Sequence, residues 1–408
     1  MAIRLSALDG IDMGNKSISN ASQIDGSIIN EDGTNVLVEG EVYTKAETEN
    51  LINSGIEGGT TGAYGVKWNQ ETDVYQLIGA TNRTQIQSQM KRCVLNNNGT
   101  VNYYLDANDS TKKADGSVAD LTGASGNVMV QIPAFYYKHS LDSNDHEWSI
   151  SPTAQAGYVL HPAFNRGGIA VPYRYYRAYE GYVTGGKLIS RSGVTPTRSL
   201  TRAQFRTYAV ANGTNWSMTD WNLLHAVQVL VLTEYGTFDS QSVLGTGNDS
   251  GSDYGITTGQ SNVIGNGSSG ASNDNMWMSY RGIENFYADI WEFIDGINIQ
   301  NYVPYVNNSL PNTYADDVFT GSYTSTGVTM ITGAENTFVK KVSGEFFPTV
   351  AGGNSATFVT DAFWSATGNR VLLFGGHAGS GLSGGAFFLA AADAASTSYV
   401  NAGAGVSR

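Results

Sequence analysis

From Tyr64 to Arg408 the chain never holds one apolar pattern for long; short apolar stretches alternate with turn residues. That alternation suits short strands joined by many turns, with Gly, Asn and Ser supplying the backbone geometry. The 49 glycines fit this, and charged residues make up only 14%, against about 25% in ordinary soluble domains. Hydrophobic residues at 41% and 23 tyrosines are enough to bury a core. Residues 128–133 (VMVQIP) and 134–137 (AFYY) read as two strand pieces around a proline. Helical spacing appears in residues 202–212 and 219–235. The second places Trp221, Leu224, Val227, Val231 and Leu232 on one face, with an N-cap at Thr219 or Asp220 and a stop at Gly236. Residues 245–275, dominated by Gly, Ser and Asn, read as a long surface loop. No internal repeat of solenoid or propeller period is present. The expected class is α+β.

A net charge of −13 argues against a nucleic-acid partner and against adhesion to anionic membranes, since both need clustered Lys and Arg. No apolar run reaches the roughly 20 residues of a spanning helix, so no membrane insertion is expected. Cys93 is the only cysteine, which excludes intrachain disulfides and Cys-rich zinc sites. The opening MAIRLSALDGIDMG has no apolar signal-peptide core. These features together suit a protein made in a cytoplasm and composed for life outside the cell.

Residues 1–38 carry too little apolar material for their own core and read as a short polar β segment that pairs with copies of itself or with another protein. In residues 42–54, Thr44 and Glu47 form a capping box for a helix of about ten residues, which is marginal alone. Copies packed side by side would stabilise it, so we expect a homotrimer. The run from Glu57 is a linker, giving 1–38 as attachment segment, 39–63 as helix and linker, and 64–408 as one large domain.

Several stretches resemble bacteriophage tail proteins. Residues 8–20 (LDGIDMGNKSISN) resemble the G-N-K-I-x-N segment that opens many tail fibres, and Tyr43-Thr44-Lys45-Ala46-Glu47 resembles the helix of trimeric fibres. Arg92-Cys93-Val94-Leu95-Asn96, residues 129–137 and His161-Pro162-Ala163-Phe164 resemble the body of a tail-protein family encoded beside such fibres. Residues 278–285 (MSYRGIEN), running into Asp289-Ile290-Trp291-Glu292-Phe293, are similar to the R-G-x-E-N…G-N-V-W-E-W signature. That signature belongs to the formylglycine-generating-enzyme branch of the C-type-lectin fold. Residues 368–408 resemble the last segment of such domains, which retroelements diversify in some relatives. The chain departs at Ala288-Asp289, where the glycine is lost, at His377 in place of an aromatic, and at Ala390, Ala391 and Ala392 in place of Asn.

The resemblance implies a C-type-lectin-like domain behind an N-terminal β segment and a trimerising helix, in a virion tail fibre or receptor-binding protein. It implies other tail or baseplate proteins and a host-surface receptor as partners, and no catalysis. Receptor contact is expected at Arg370, Phe374, His377, Ser380, Leu382, Ser383, Phe387, Phe388 and Tyr399, because aromatics in a Gly/Ser setting make binding anchors; a core role stays open for some of them, Phe387 and the neighbouring Leu389 above all, since period alone does not separate the two. His377, Ser380, Leu382 and Ser383 are expected exposed and clustered.

Chemical readings are weaker. Cys93 reads as a buried apolar thiol, and His161 and His225 as turn and packing residues; no H-E-x-x-H pair occurs. Glu292 with Asp289 and Asp295, or Glu234 with Asp239, invites comparison with the paired acids of a polysaccharide depolymerase. Plain folding offers a simpler use: Trp291 as core anchor and Glu292 bound to backbone N–H groups. Calcium would draw on Asn248, Asp249, Asp253, Asn273, Asp274 and Asn275, but the sugar-calcium tripeptide of calcium-dependent lectins is missing and no cofactor is expected. The rivals to adhesion are the depolymerase and a structural tail or baseplate protein without receptor contact.

Overall fold

The computed structural model describes residues 62–408 and, before them, four short strands: Ser22–Ile24, Ser27–Ile29, Asn35–Val38 and Glu41–Thr44. These four pair in chain order as an antiparallel sheet. Thr44 ends the fourth strand; the helix expected from there to Ser54 lies outside the described residues.

Strand makes up 36% and helix 13%, so the fold is β-rich with few helices. A five-stranded sheet runs Val159–Leu160, Tyr136–Asp142, Asp145–Ser151, Tyr64–Asn69, Val74–Gly79. A six-stranded sheet runs Ser217–Met218, Val406–Ser407, Tyr173–Arg177, Asn127–Pro133, Lys91–Leu95, Val101–Tyr104. Its second strand is the end of the chain, so the C-terminus closes onto the middle of the sequence. The largest sheet, nine strands, is centred on Trp291–Gln300 paired with Asn369–Phe374. The expected break at the proline is there: Asn127–Pro133 and Tyr136–Asp142 belong to different sheets.

Helix α1 is Arg202–Val210, opened by a Thr201/Gln204 capping box. Helix α2 is Trp221–Tyr235. Asp220 caps it, accepting from Leu223 N at 3.0 Å, and Gly236 ends it in the left-handed region at φ 70°. The apolar face expected for α2 is too narrow: Leu223, Ala226, Val229 and Leu230 are buried as well, because sheets and loops surround the helix. A short α3, Ser240–Leu244, was not legible as a helix.

Several of the few charges work inside. Arg92, Arg174, Arg177 and Arg202 are buried. Arg174 Nη2 and Arg166 Nη1 reach Asp220 Oδ2 at 2.7 and 3.2 Å. Burial alone would raise the Asp220 pKa, but Arg174 and Arg166 hold its carboxyl below the usual range. Arg92 Nε donates to Gly282 O and Nη2 to Ser261 Oγ, both at 2.7 Å. Cys93 is buried, and desolvation pushes its thiol up to about 12, which leaves it inert as a nucleophile at neutral pH.

Four of the five histidines form two imidazole pairs. His161 Nε2 lies 3.0 Å from His225 Nδ1, and His139 Nε2 lies 2.9 Å from His146 Nδ1. His161 also caps the Pro162–Phe164 turn, its Nδ1 accepting from Ala163 N at 3.2 Å. Residues 245–275 are not simply a surface loop, because Asn248, Asp249, Thr258, Ser261 and Asn266 are buried. Asn266 is typical: Oδ1 accepts from Arg92 N and Nδ2 donates to Met90 O, both at 3.0 Å.

Candidate functional site

The last segment leaves the large sheet as Asn369–Phe374, turns at Gly375 and Gly376, and returns as Leu389–Ala391. The two glycines have φ of 91° and 81°, a region that side-chain-bearing residues resist. The turn between the strands carries His377, Ser380, Leu382 and Ser383.

Backbone bonds anchor that turn on several sides. Ala378 N donates to Asp289 O at 3.0 Å, and Gly381 N to Asp249 O at 2.7 Å. Gln241 Nε2, on α3, donates to the carbonyls of Gly381 and Gly384 at 3.1 and 2.9 Å. Within the turn, His377 N donates to Ser380 Oγ at 2.9 Å, and Gly379 N to His377 Nδ1 at 2.8 Å. An accepting Nδ1 leaves the ring proton on Nε2. Burial lowers the His377 pKa, so the ring is neutral at pH 7.

Asp289 ties this turn to its neighbour. Its carboxylate accepts from Asn248 Nδ2 at 2.8 Å, Gly255 N at 2.9 Å and Ile256 N at 3.0 Å. Those bonds fix the loop that carries Tyr254, whose ring sits edge-on 5.4 Å from His377. On the other side His377 meets Trp291 at 4.5 Å and 86°. Tyr399 lies 6.0 Å from Trp291, its hydroxyl donating to Asp393 Oδ1 at 2.5 Å. Tyr254, His377, Trp291 and Tyr399 thus make a contiguous row of half-buried rings. Leu382, in the His377 turn, is 61% exposed, and Val400, beside Tyr399, is 66% exposed. Arg198 joins the two ends: its guanidinium lies beside Gly255, and Nη1 donates to Val400 O at 2.8 Å. Trp291 Nε1 has no acceptor among the described residues.

The expected contact residues divide. His377, Ser380, Leu382 and Ser383 share one turn, with Leu382 exposed and the other three half-buried; Tyr399 joins them through Trp291. Arg370 is half-exposed near the start of the strand, paired with Ile299 away from the turn. Phe374, Phe387 and Phe388 are buried, which corrects the contact expected at Phe374 and Phe388 and settles Phe387, like Leu389, as core. Phe374 packs on Phe286 at 5.1 Å, and Phe387 on Phe238 at 4.8 Å. Phe388 belongs to a second core cluster with Phe293 and Leu373.

Trp291 is half-exposed rather than a core anchor, and Glu292 pairs with the Arg177 guanidinium instead of backbone N–H groups. Trp291 opens an apolar strand, and that composition points to the core while its place at the strand's end leaves the ring half-exposed. Tyr254 was missed although a lone aromatic in a Gly/Ser/Asn loop is a readable sign of a surface ring.

The acids that hydrolysis would call on are engaged elsewhere. Glu234 receives Arg281 and the Tyr280 hydroxyl, and Asp239 caps α3 through Ser242 N at 3.1 Å. Asn248, named for calcium, is bound to Asp289 and to Asp253 O. Among the described residues no group of three or more His, Cys, Asp or Glu is placed to hold a metal ion. Among them, too, no helix is long and apolar enough to cross a membrane. The chain matches no family model and no curated protein.

Proposed function

We propose that this chain is a virion adhesin, a bacteriophage tail-fibre or receptor-binding protein whose C-type-lectin-like body holds a bacterial surface receptor. The N-terminal segment attaches to the tail or baseplate, and three copies assemble. The observation that carries the reading is the half-buried ring row Tyr254–His377–Trp291–Tyr399, whose His377 sits on a turn braced by Asp289, Asp249 and Gln241. Half-buried rings offer large contact area at low entropy cost, and bracing reduces what binding must order. The engaged state of Glu234, Asp239 and Glu292 favours binding over hydrolysis.

The test is capture of the labelled, purified chain by a panel of bacterial cells and a glycan array, alongside a saccharide-release assay. Capture without release supports the adhesin. Release of saccharide makes it a depolymerase, and no capture by any cell makes it a structural component. Light scattering at micromolar concentration is expected to give three chain masses, and a single chain mass would remove the trimer.

A further inference from the structure

One cleft is lined by none of the ring-row residues. On the five-stranded sheet, alternate residues Tyr64, Val66, Trp68, Trp148 and Ile150 point into the core. Glu147, Ser149 and Ile78 stand on the opposite face by the same alternation and register. The Gln155–Tyr158 turn, closed by Tyr158 N donating to Gln155 O at 3.1 Å, folds over that face. Together with Ala63, Tyr64 and Gly79 they line an open cleft of about 310 Å³.

The polar groups are fixed but not used up. The Tyr158 hydroxyl donates to Ser149 Oγ at 3.0 Å, which pins the ring and leaves the Ser149 proton with no acceptor among the described residues. Ser149 is only 2% exposed, so that proton can be satisfied only from the cleft side. Glu147 has one loose ion pair, Oε1 to Lys138 Nζ at 3.7 Å, and otherwise accepts nothing from the described residues. Gln155 adds an amide that both donates and accepts.

We propose that this cleft is a binding site for one neutral pyranose-sized sugar residue. Its volume is at the low end of small-ligand pockets, about 300–1,000 Å³, and so suits one ring. An apolar ligand would leave Ser149 and Glu147 desolvated without partners. A sugar hydroxyl donates to Glu147, another accepts from Ser149, and a C–H face lies against Tyr158 and Ile78. The carboxylate of an acidic sugar, which only accepts, finds no donor in Glu147, whose own charge Lys138 and Lys67 offset in part. The site uses none of the ring-row residues and does not depend on the adhesin reading.

Saturation-transfer NMR on the full chain tests it, with methyl glucopyranoside, methyl galactopyranoside, N-acetylglucosamine and glucuronate as probes. At least one neutral sugar should receive saturation and glucuronate should not. Glu147→Gln and Tyr158→Ala should each weaken binding about tenfold, the loss of one well-placed contact. Tyr158→Phe, which removes only the hydroxyl and is the gentler change to the fold, should weaken it several-fold. Trp291→Ala should leave it unchanged. No transfer to any neutral sugar, equal transfer to glucuronate, or undiminished transfer in folded Glu147→Gln and Tyr158→Phe would each overturn the proposal.

Discussion

Acidification should weaken this protein through the paired histidines. His225 is buried in α2, 3.0 Å from His161, with Phe346 and Tyr137 rings around it. Burial, and then His139, lower its pKa from 6.5 to about 3. His161 is also pushed well below 6.5, by burial and by His225. The folded state therefore favours the neutral rings. Their stabilisation is fully present above pH 6.5 and falls away as pH drops from 6.5 towards 3. At pH 5 the unfolded chain holds the proton that folded His225 refuses, a loss of about 2 kcal/mol at 1.36 kcal/mol per pH unit. Among the charged groups nearby, Glu345 and Glu147 act on His139 and pull its pKa upward against burial. Buried Glu180 and Asp361 act in the opposite sense: burial raises their pKa, so the stability they contribute is lost as pH rises. A difference experiment cancels them. Urea unfolding of wild type and of His161→Asn/His225→Leu, at pH 8 and pH 5, reads the histidine part alone; Asn keeps an acceptor for Ala163 N. The variant should lose at least about 2 kcal/mol less than wild type over that interval. Equal losses in the two proteins would refute the reasoning.

Other perturbations have distinct expected sizes. Asp220→Ala strands Arg174 and Arg166 without their shared carboxylate and should cost about 3–5 kcal/mol in chemical unfolding. Phe387→Ala, which empties space between Phe238 and Phe346, should cost about 3–5 kcal/mol, whereas Leu382→Ser should stay within about 0.5 kcal/mol of wild type. Cys93→Ser should cost about 1–3 kcal/mol, the burial of a hydroxyl lacking a good partner, with cell capture unchanged.

How much the sequence reveals depends on whether the deciding interaction is local. The ends of α2 were readable because Asp220 and Gly236 act on adjacent backbone groups. Its burial on all sides was not, since that depends on sheets formed by distant segments. The glycine turn at 375–376 could be placed, and with it the clustering of His377, Ser380, Leu382 and Ser383. Phe387 and Phe388 share the same glycine-rich composition yet belong to two different core clusters, and composition cannot tell a turn from the strand that follows it. The His161–His225 pair and the Asp289 brace join residues tens of positions apart, so no local pattern announces them. Tyr254 joins the ring row only because Asn248, Gly255 and Ile256 converge on Asp289.

The central claim is that the ring row is the receptor-binding face. The most direct measurement is the affinity of the purified chain for a bacterial strain that captures it, compared with His377→Ala/Leu382→Ala and Tyr399→Ala of matched thermal stability. Loss of anchor contacts at about 1–2 kcal/mol each predicts at least a tenfold weaker capture by the double variant, with Tyr399→Ala weakened in the same direction. Capture at wild-type affinity by folded variants of both kinds would contradict the claim and move the receptor face elsewhere on the molecule.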